Sequence, residues 1–99
     1  MTEQEFLTYT QGREDLVTRA WPALHEISDH THPFALRALV TQGQMWLTHN
    51  GNEQMLEPGA CFELDYAEPH AERYGPQGAT YLVALIRTPG ASWGRFLSS

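Results

Sequence analysis

Two imidazoles set the chemistry this chain can do. In the run His30-Thr31-His32-Pro33-Phe34-Ala35-Leu36-Arg37-Ala38-Leu39-Val40, an extended backbone sends alternate side chains to opposite faces. His30, His32, Phe34, Leu36, Ala38 and Val40 then share one face, with Thr31, Ala35, Arg37 and Thr41 on the other. Two histidines at i and i+2, at the mouth of an apolar face, offer neighbouring nitrogens to one metal ion. A third histidine, His70, follows Glu68-Pro69 at the start of another short predicted strand. In that strand His70, Glu72 and Tyr74 fall on one face.

These residues carry a resemblance. The chain resembles a small single-domain cupin, whose first motif runs G-x5-H-x-H-x3,4-E-x6-G and whose second runs G-x5-P-x-G-x2-H-x3-N. His30, His32 and Gly43 match the first, with Leu24 where its leading glycine is expected. Gly59 and His70 match the second, with Asp65, Ala67 and Tyr74 at the positions of its proline, second glycine and asparagine. The resemblance covers about residues 24 to 87. It implies an all-β fold, a cupin-type jelly-roll β-barrel of two antiparallel sheets with no substantial helix. Leu36 stands where the first motif has its glutamate, so the implied metal site is three histidines, His30, His32 and His70, without a carboxylate from that motif. The alternative is a degenerate cupin that keeps the imidazoles and holds no ion.

Three neutral imidazoles leave a divalent ion its full charge. Such a site suits Zn²⁺ as three nitrogens plus water, or Fe²⁺, Ni²⁺, Mn²⁺ or Cu²⁺ with positions open. The expected ligand is a small anionic molecule, a carboxylate, enolate or thiolate. Glu72 can orient an imidazole, act as a general base or serve as a fourth ligand. It can equally be a solvated carboxylate paired with Arg73 or Arg37. Glu72, Tyr66 and Tyr74 are the candidate catalytic residues; no organic cofactor is expected. Tyr66, Tyr74, Phe34 and Trp46 either line a pocket or are plain core. Cys61 reads as a buried inert thiol, and His25 and His49 as surface histidines.

Two functions fit: a metal-dependent dioxygenase or isomerase-type cupin, or a non-catalytic small-molecule binding or sensing domain. Ninety-nine residues make one domain, with an N-terminal arm at 1–15 and a C-terminal tail at 88–99 outside the core. Net charge −6 with six Lys+Arg argues against nucleic acid and an anionic membrane, both of which ask for a basic surface. The N-terminus lacks the pattern of a signal peptide, no segment is apolar enough to span a bilayer, and the single cysteine allows no internal disulfide. A cytoplasmic setting is expected.

The elements that must position the histidines are short strands. Leu16 to Trp21 reads as one, ended by Pro22; Leu24 to Ile27 as another, with Ser28-Asp29 as the turn that delivers His30. Thr41 to Gln44 is expected to make a hairpin into Met45–His49, and Asn50-Gly51 a type I′ turn into Glu53–Leu56. Pro58-Gly59 turns the chain into Cys61–Tyr66. Residues 79–87 are apolar nearly throughout, so both faces of that strand need cover: the barrel interior on one, a second sheet or second chain on the other. A homodimer follows as an expectation. Residues 1–15 read as a strand or irregular arm, and no helix longer than a turn is expected.

Overall fold

The computed structural model describes residues 1–10 and 15–90. The expectations for Gly12 to Glu14, and for the aromatics Trp93 and Phe96 of the tail, lie outside these. The order is α1 (Glu3–Thr10), β1 (Asp15–Trp21), β2 (Glu26–His30), β3 (Ala35–His49), β4 (Asn52–Leu56), β5 (Cys61–Leu64) and β6 (His70–Ile86). Among the described residues no helix is long and apolar enough to cross a membrane.

Two long strands, β3 and β6, form the spine and pair antiparallel along most of their length. In one half, β1 lies on β6 and β5 on β3, giving β1-β6-β3-β5. In the other half β2 and β4 take those places, giving β2-β6-β3-β4. One core draws on both halves: Leu36, Ala38, Val40, Val83 and Leu85 from the first, Met45, Leu47, Leu56 and Tyr74 from the second. This is the all-β, antiparallel architecture that the resemblance implies.

The bend between the halves is a pair of register shifts, at Val40/Gln42 and at Gly43/Met45. Inward residues are even-numbered before it (Leu36, Ala38, Val40) and odd-numbered after it (Met45, Leu47), because a bulge adds a residue and flips the alternation. The expected hairpin at Thr41–Gln44 is therefore absent, since the chain runs on into the same strand. Gly43 takes φ +76°, and a Cβ there would meet the Gly78 carbonyl oxygen at 2.1 Å. Only a residue without a side chain lets the two spine strands approach so closely.

Two other expectations shift. Ser28-Asp29 lies inside β2 rather than in a turn, with a register irregularity between Ile27 and His30. The histidine strand does not run from His30 to Val40: β2 ends at His30 and β3 starts at Ala35. Pro33 has no N–H to give a ladder, which interrupts the strand. The Asn50-Gly51 turn forms as expected, with φ of 52° and 75°.

The helix is the clearest departure. Thr2 and Glu5 form a reciprocal capping box: the Glu5 N–H donates to Thr2 Oγ1 at 3.1 Å, and the Thr2 N–H to Glu5 Oε1 at 2.9 Å. These contacts satisfy backbone donors that would otherwise fray the first turn. The Thr-x-x-Glu spacing preceding Phe6-Leu7 was the signal available in the sequence. Phe6 is fully buried against Ala35, Leu39, Leu82, Ala84 and Ile86. The second face of residues 79–86 is thus packed by the chain's own helix rather than by a second sheet. Cys61 is half-buried at this packing edge, with Sγ 3.7 Å from Met1 Sδ.

Candidate metal centre

β2 and β6 bring the histidines together. His30 and His70 are register partners across the pair, with ring centroids 4.2 Å apart. His32 leaves the strand two residues later and packs edge-on against His30 at 4.7 Å and near His70 at 5.0 Å. Its other side stacks on Phe34 at 4.9 Å. The Ala67 N–H donates to the His32 carbonyl at 3.1 Å, so the 65–69 turn holds this irregular stretch in place.

The same turn orients His70. The Glu68 carboxylate accepts the Asp65 N–H at 2.9 Å and lies 2.9 Å from His49 Nδ1; its backbone carbonyl lies 2.9 Å from His70 Nδ1. His49, expected to be a plain surface histidine, is half-buried and anchors the turn. In the same way His30 Nδ1 lies 2.8 Å from the Ser28 carbonyl. A carbonyl only accepts, so each Nδ1 must be the protonated nitrogen of its contact, which leaves each Nε2 as the atom that can ligate. That tautomer is the one a ligating histidine needs when its second nitrogen is tied to a carbonyl.

One nitrogen from each of His30, His32 and His70 lies within 4.8 Å of the others. Nitrogens bound to a common ion at ~2.1 Å are spaced by about 3–3.5 Å, so side-chain closure of about an ångström converts the cluster into a coordination site. The donor set fits a divalent transition metal.

Glu72 completes the cluster. It is 8% exposed, and its Oε2 stands 3.4 Å from His30 Nε2 and 4.0 Å from His70 Nε2. Its Oε1 accepts the Tyr74 hydroxyl at 2.9 Å and the Tyr81 hydroxyl at 3.3 Å. Trp21 Nε1 in turn donates to the Tyr81 oxygen at 2.9 Å. The reading of Glu72 as a solvated partner of Arg73 or Arg37 is overturned: Arg73 binds Glu53 at 3.2 Å, and Arg37 faces Glu63 at 3.8 Å.

Burial, and then the neighbouring His70 and His30 charges, hold His32 below the usual histidine range. Burial also lowers His70, against the opposing pull of its hydrogen bond to Glu68. Both imidazoles are therefore neutral and able to ligate at lower pH than a free histidine. Burial, then the Tyr81 and Glu72 charges, raise Tyr74. Burial and the Glu72 charge push Tyr81 up to about 12. Both phenols stay protonated and keep donating to the carboxylate.

The cluster opens into a cavity of about 330 Å³. Trp21, Ile27, Phe34, Leu36 and Phe62 supply much of its apolar wall, and Arg19 is on its lining. Of the expected aromatics, Phe34 lines it and Tyr74 reaches the site through Glu72. Trp46 lies elsewhere, under the Arg73 guanidinium at 4.2 Å, and Tyr66 is not among the lining residues. His25 is half-buried, stacked on Trp21 at 5.1 Å. Tyr81, Trp21 and Arg19 escaped the sequence reading, although Trp21 and Arg19 share the alternation of the Leu16–Trp21 strand.

Known structures share this frame. An RmlC-like cupin from Shewanella frigidimarina aligns with TM-score 0.65 at 18% identity, covering 74% of this chain and 65% of its own. KdgF from Halomonas sp. aligns at 0.63 and 19%, covering 73% and 67%. The DMSP lyase DddQ from Ruegeria pomeroyi aligns at 0.66 and 22%, covering 72% of this chain. This chain spans only 36% of that lyase. Comparison with curated protein sequences finds no match. Residues 16–89 match the family described as the AraC-like ligand binding domain, a span that holds all of β1 but its first residue, β2 to β6 entire and every residue of the histidine cluster; the chain belongs to that family and has the cupin fold.

Proposed function

We propose that this protein binds one divalent transition metal through His30, His32 and His70 and acts on a small anionic metabolite in the adjoining cavity. The observation that supports this best is the locked orientation of His30 and His70, each tied at Nδ1 to a carbonyl, with the Glu72 carboxylate 3.4 Å from His30 Nε2. A bound divalent ion would supply Lewis-acid polarisation of a carbonyl or enolate, or a water of lowered pKa. The chain's own residues supply the rest. Glu72 lines the cavity and is placed as a proton acceptor, with Oε2 beside the imidazoles and Oε1 held by Tyr74 and Tyr81. A placed acid–base group beside the triad favours proton transfer, the isomerase-type reading, over dioxygenation.

The second reading, a non-catalytic binding or sensing domain, has the family match in its favour, since that family is described by ligand binding. Fold likeness to a lyase and to RmlC-like proteins agrees with either, because one fold hosts many activities.

The test is elemental analysis of untagged protein beside His32→Ala. About one ion per chain, lost in the variant, is the expected result; no metal after reloading would sink the proposal. Solvent-deuterium exchange into enolisable acids by loaded protein, abolished in Glu72→Gln, supports catalysis. Ligand-induced thermal stabilisation without exchange supports sensing, where a ligand at a hundred times its Kd adds ~2.7 kcal/mol.

A further inference from the structure

β1 carries a cation where strand alternation calls for an apolar residue. Arg19 pairs in register with Tyr81, Val17 with Val83 and Trp21 with Ala79. Tyr81, Val83 and Ala79 are core residues, and Val17 and Trp21 pack against them. Facing partners in an antiparallel pair point to the same side, so Arg19 sits on the inward face between Val17 and Trp21. Its presence on the cavity lining agrees.

The other placed cations are committed. Arg37 and Arg73 face Glu63 and Glu53, and Arg87 lies over the Phe34 ring. Among the described residues Arg19 has no carboxylate within ion-pair distance. Arg19 is exposed, so in a chain with net charge −6 it offers a cation at the open side of an otherwise largely apolar cavity. A guanidinium presents a planar fork that matches a carboxylate.

We infer that Arg19 is the specificity residue of this cavity: it holds the carboxylate of a small monocarboxylic acid with a compact apolar or aromatic body, whose far end lies at the histidine cluster. The inference rests on the cavity's being the ligand site, as in the function proposed above. The apolar walls take the body, and the guanidinium selects acids over their neutral amides.

The test is a pair of titrations followed by NMR, phenylacetate against phenylacetamide, on wild type, Arg19→Gln and Arg19→Lys. Each is run on chelator-treated protein and again with one equivalent of zinc. Wild type is expected to prefer the acid by up to about fivefold, the range of a solvent-exposed charge pair. Arg19→Gln loses that preference, Arg19→Lys keeps part of it, and both bind zinc as wild type does. Equal binding of acid and amide by wild type, no binding of either, or a preference retained in Arg19→Gln would overturn the inference. So would Arg19→Gln self-associating with its acid preference intact, which would make Arg19 an edge-strand guard. Failure of zinc uptake with the acid preference intact would count against the metal centre alone.

Discussion

Glu72 Oε2 stands 3.4 Å from His30 Nε2, on the residue that faces Ile27 across the β2–β6 pair. The first cupin motif's glutamate position is Leu36 here, on β3, yet a carboxylate still reaches the imidazoles, delivered by β6. Replacing it with an amide should separate its two roles. Glu72→Gln is expected to weaken zinc binding by about tenfold, because it removes a negative charge beside both Nε2 atoms that would face the ion. Tyr74→Phe should leave zinc affinity nearly unchanged and cost about 1–2 kcal/mol of stability, because it removes one donor from a buried carboxylate. Competition with a chelating dye and urea unfolding read the two effects apart.

The histidines predict the acid side of the stability curve. His32 and His70 have folded pKa values below the usual histidine value. Between those values and about 6.5 the unfolded chain binds protons that the folded chain refuses, so stability falls as pH falls. Their contribution is complete above pH 6.5 and declines as pH drops through that value toward the folded pKa. Metal-free protein should show a lower urea midpoint at about pH 5 than at about pH 8, and His70→Gln should flatten the difference. An unchanged midpoint would mean that these imidazoles are not held neutral.

Backbone conformation gives a prediction of opposite signs. Leu24 and Ala67, which replace the two motif glycines, keep the left-handed backbone, with φ of 60° and 58°. Leu24 is 71% exposed, so Leu24→Gly should relieve strain with little burial lost and stabilise by up to about 1 kcal/mol. Gly78→Ala should do the reverse. A Cβ there would lie 2.2 Å from the Trp21 carbonyl oxygen, at φ +70°. A loss of more than about 2 kcal/mol is expected, from left-handed strain plus displacement of β1 from its seat. Thermal or urea unfolding of the two variants side by side decides it.

The N-terminal helix can be tested through one side chain. Phe6 is fully buried on the outer face of β3 and β6. Phe6→Ala is expected to cost about 3 kcal/mol or more, and to free α1 so that its amides exchange with solvent. The apolar face it uncovers, Leu39, Leu82 and Ile86, should then drive self-association visible by light scattering. Stability like that of wild type would show that the helix adds nothing to the core.

Some of this protein was legible in its residues because the information is local. A period of two puts His70, Glu72 and Tyr74 on one face wherever the strand lies, and the structure keeps them there. Asn50-Gly51 makes its turn from its own φ preferences, and the motif spacing of His30, His32 and His70 pointed to the cluster and the cupin fold. The Thr2-x-x-Glu5 cap is equally local. Other features depend on contacts far apart in the chain. Whether Thr41–Gln44 is a hairpin or a bulge depends on Gly78 and Ala79, the first packing against Gly43 and the second pairing with it across β3 and β6. That bulge flips the inward parity of β3, so no pattern within one strand predicts it. Glu72 became a buried neighbour of two imidazoles, not a solvated carboxylate, only because β2 lies beside β6 and sets His30 opposite His70. Arg19 turned from a polar residue on a strand into a charge facing the cavity once Tyr81 became its partner. Side-chain alternation is a property of the backbone, but burial and charge pairing belong to whichever strand comes to lie alongside.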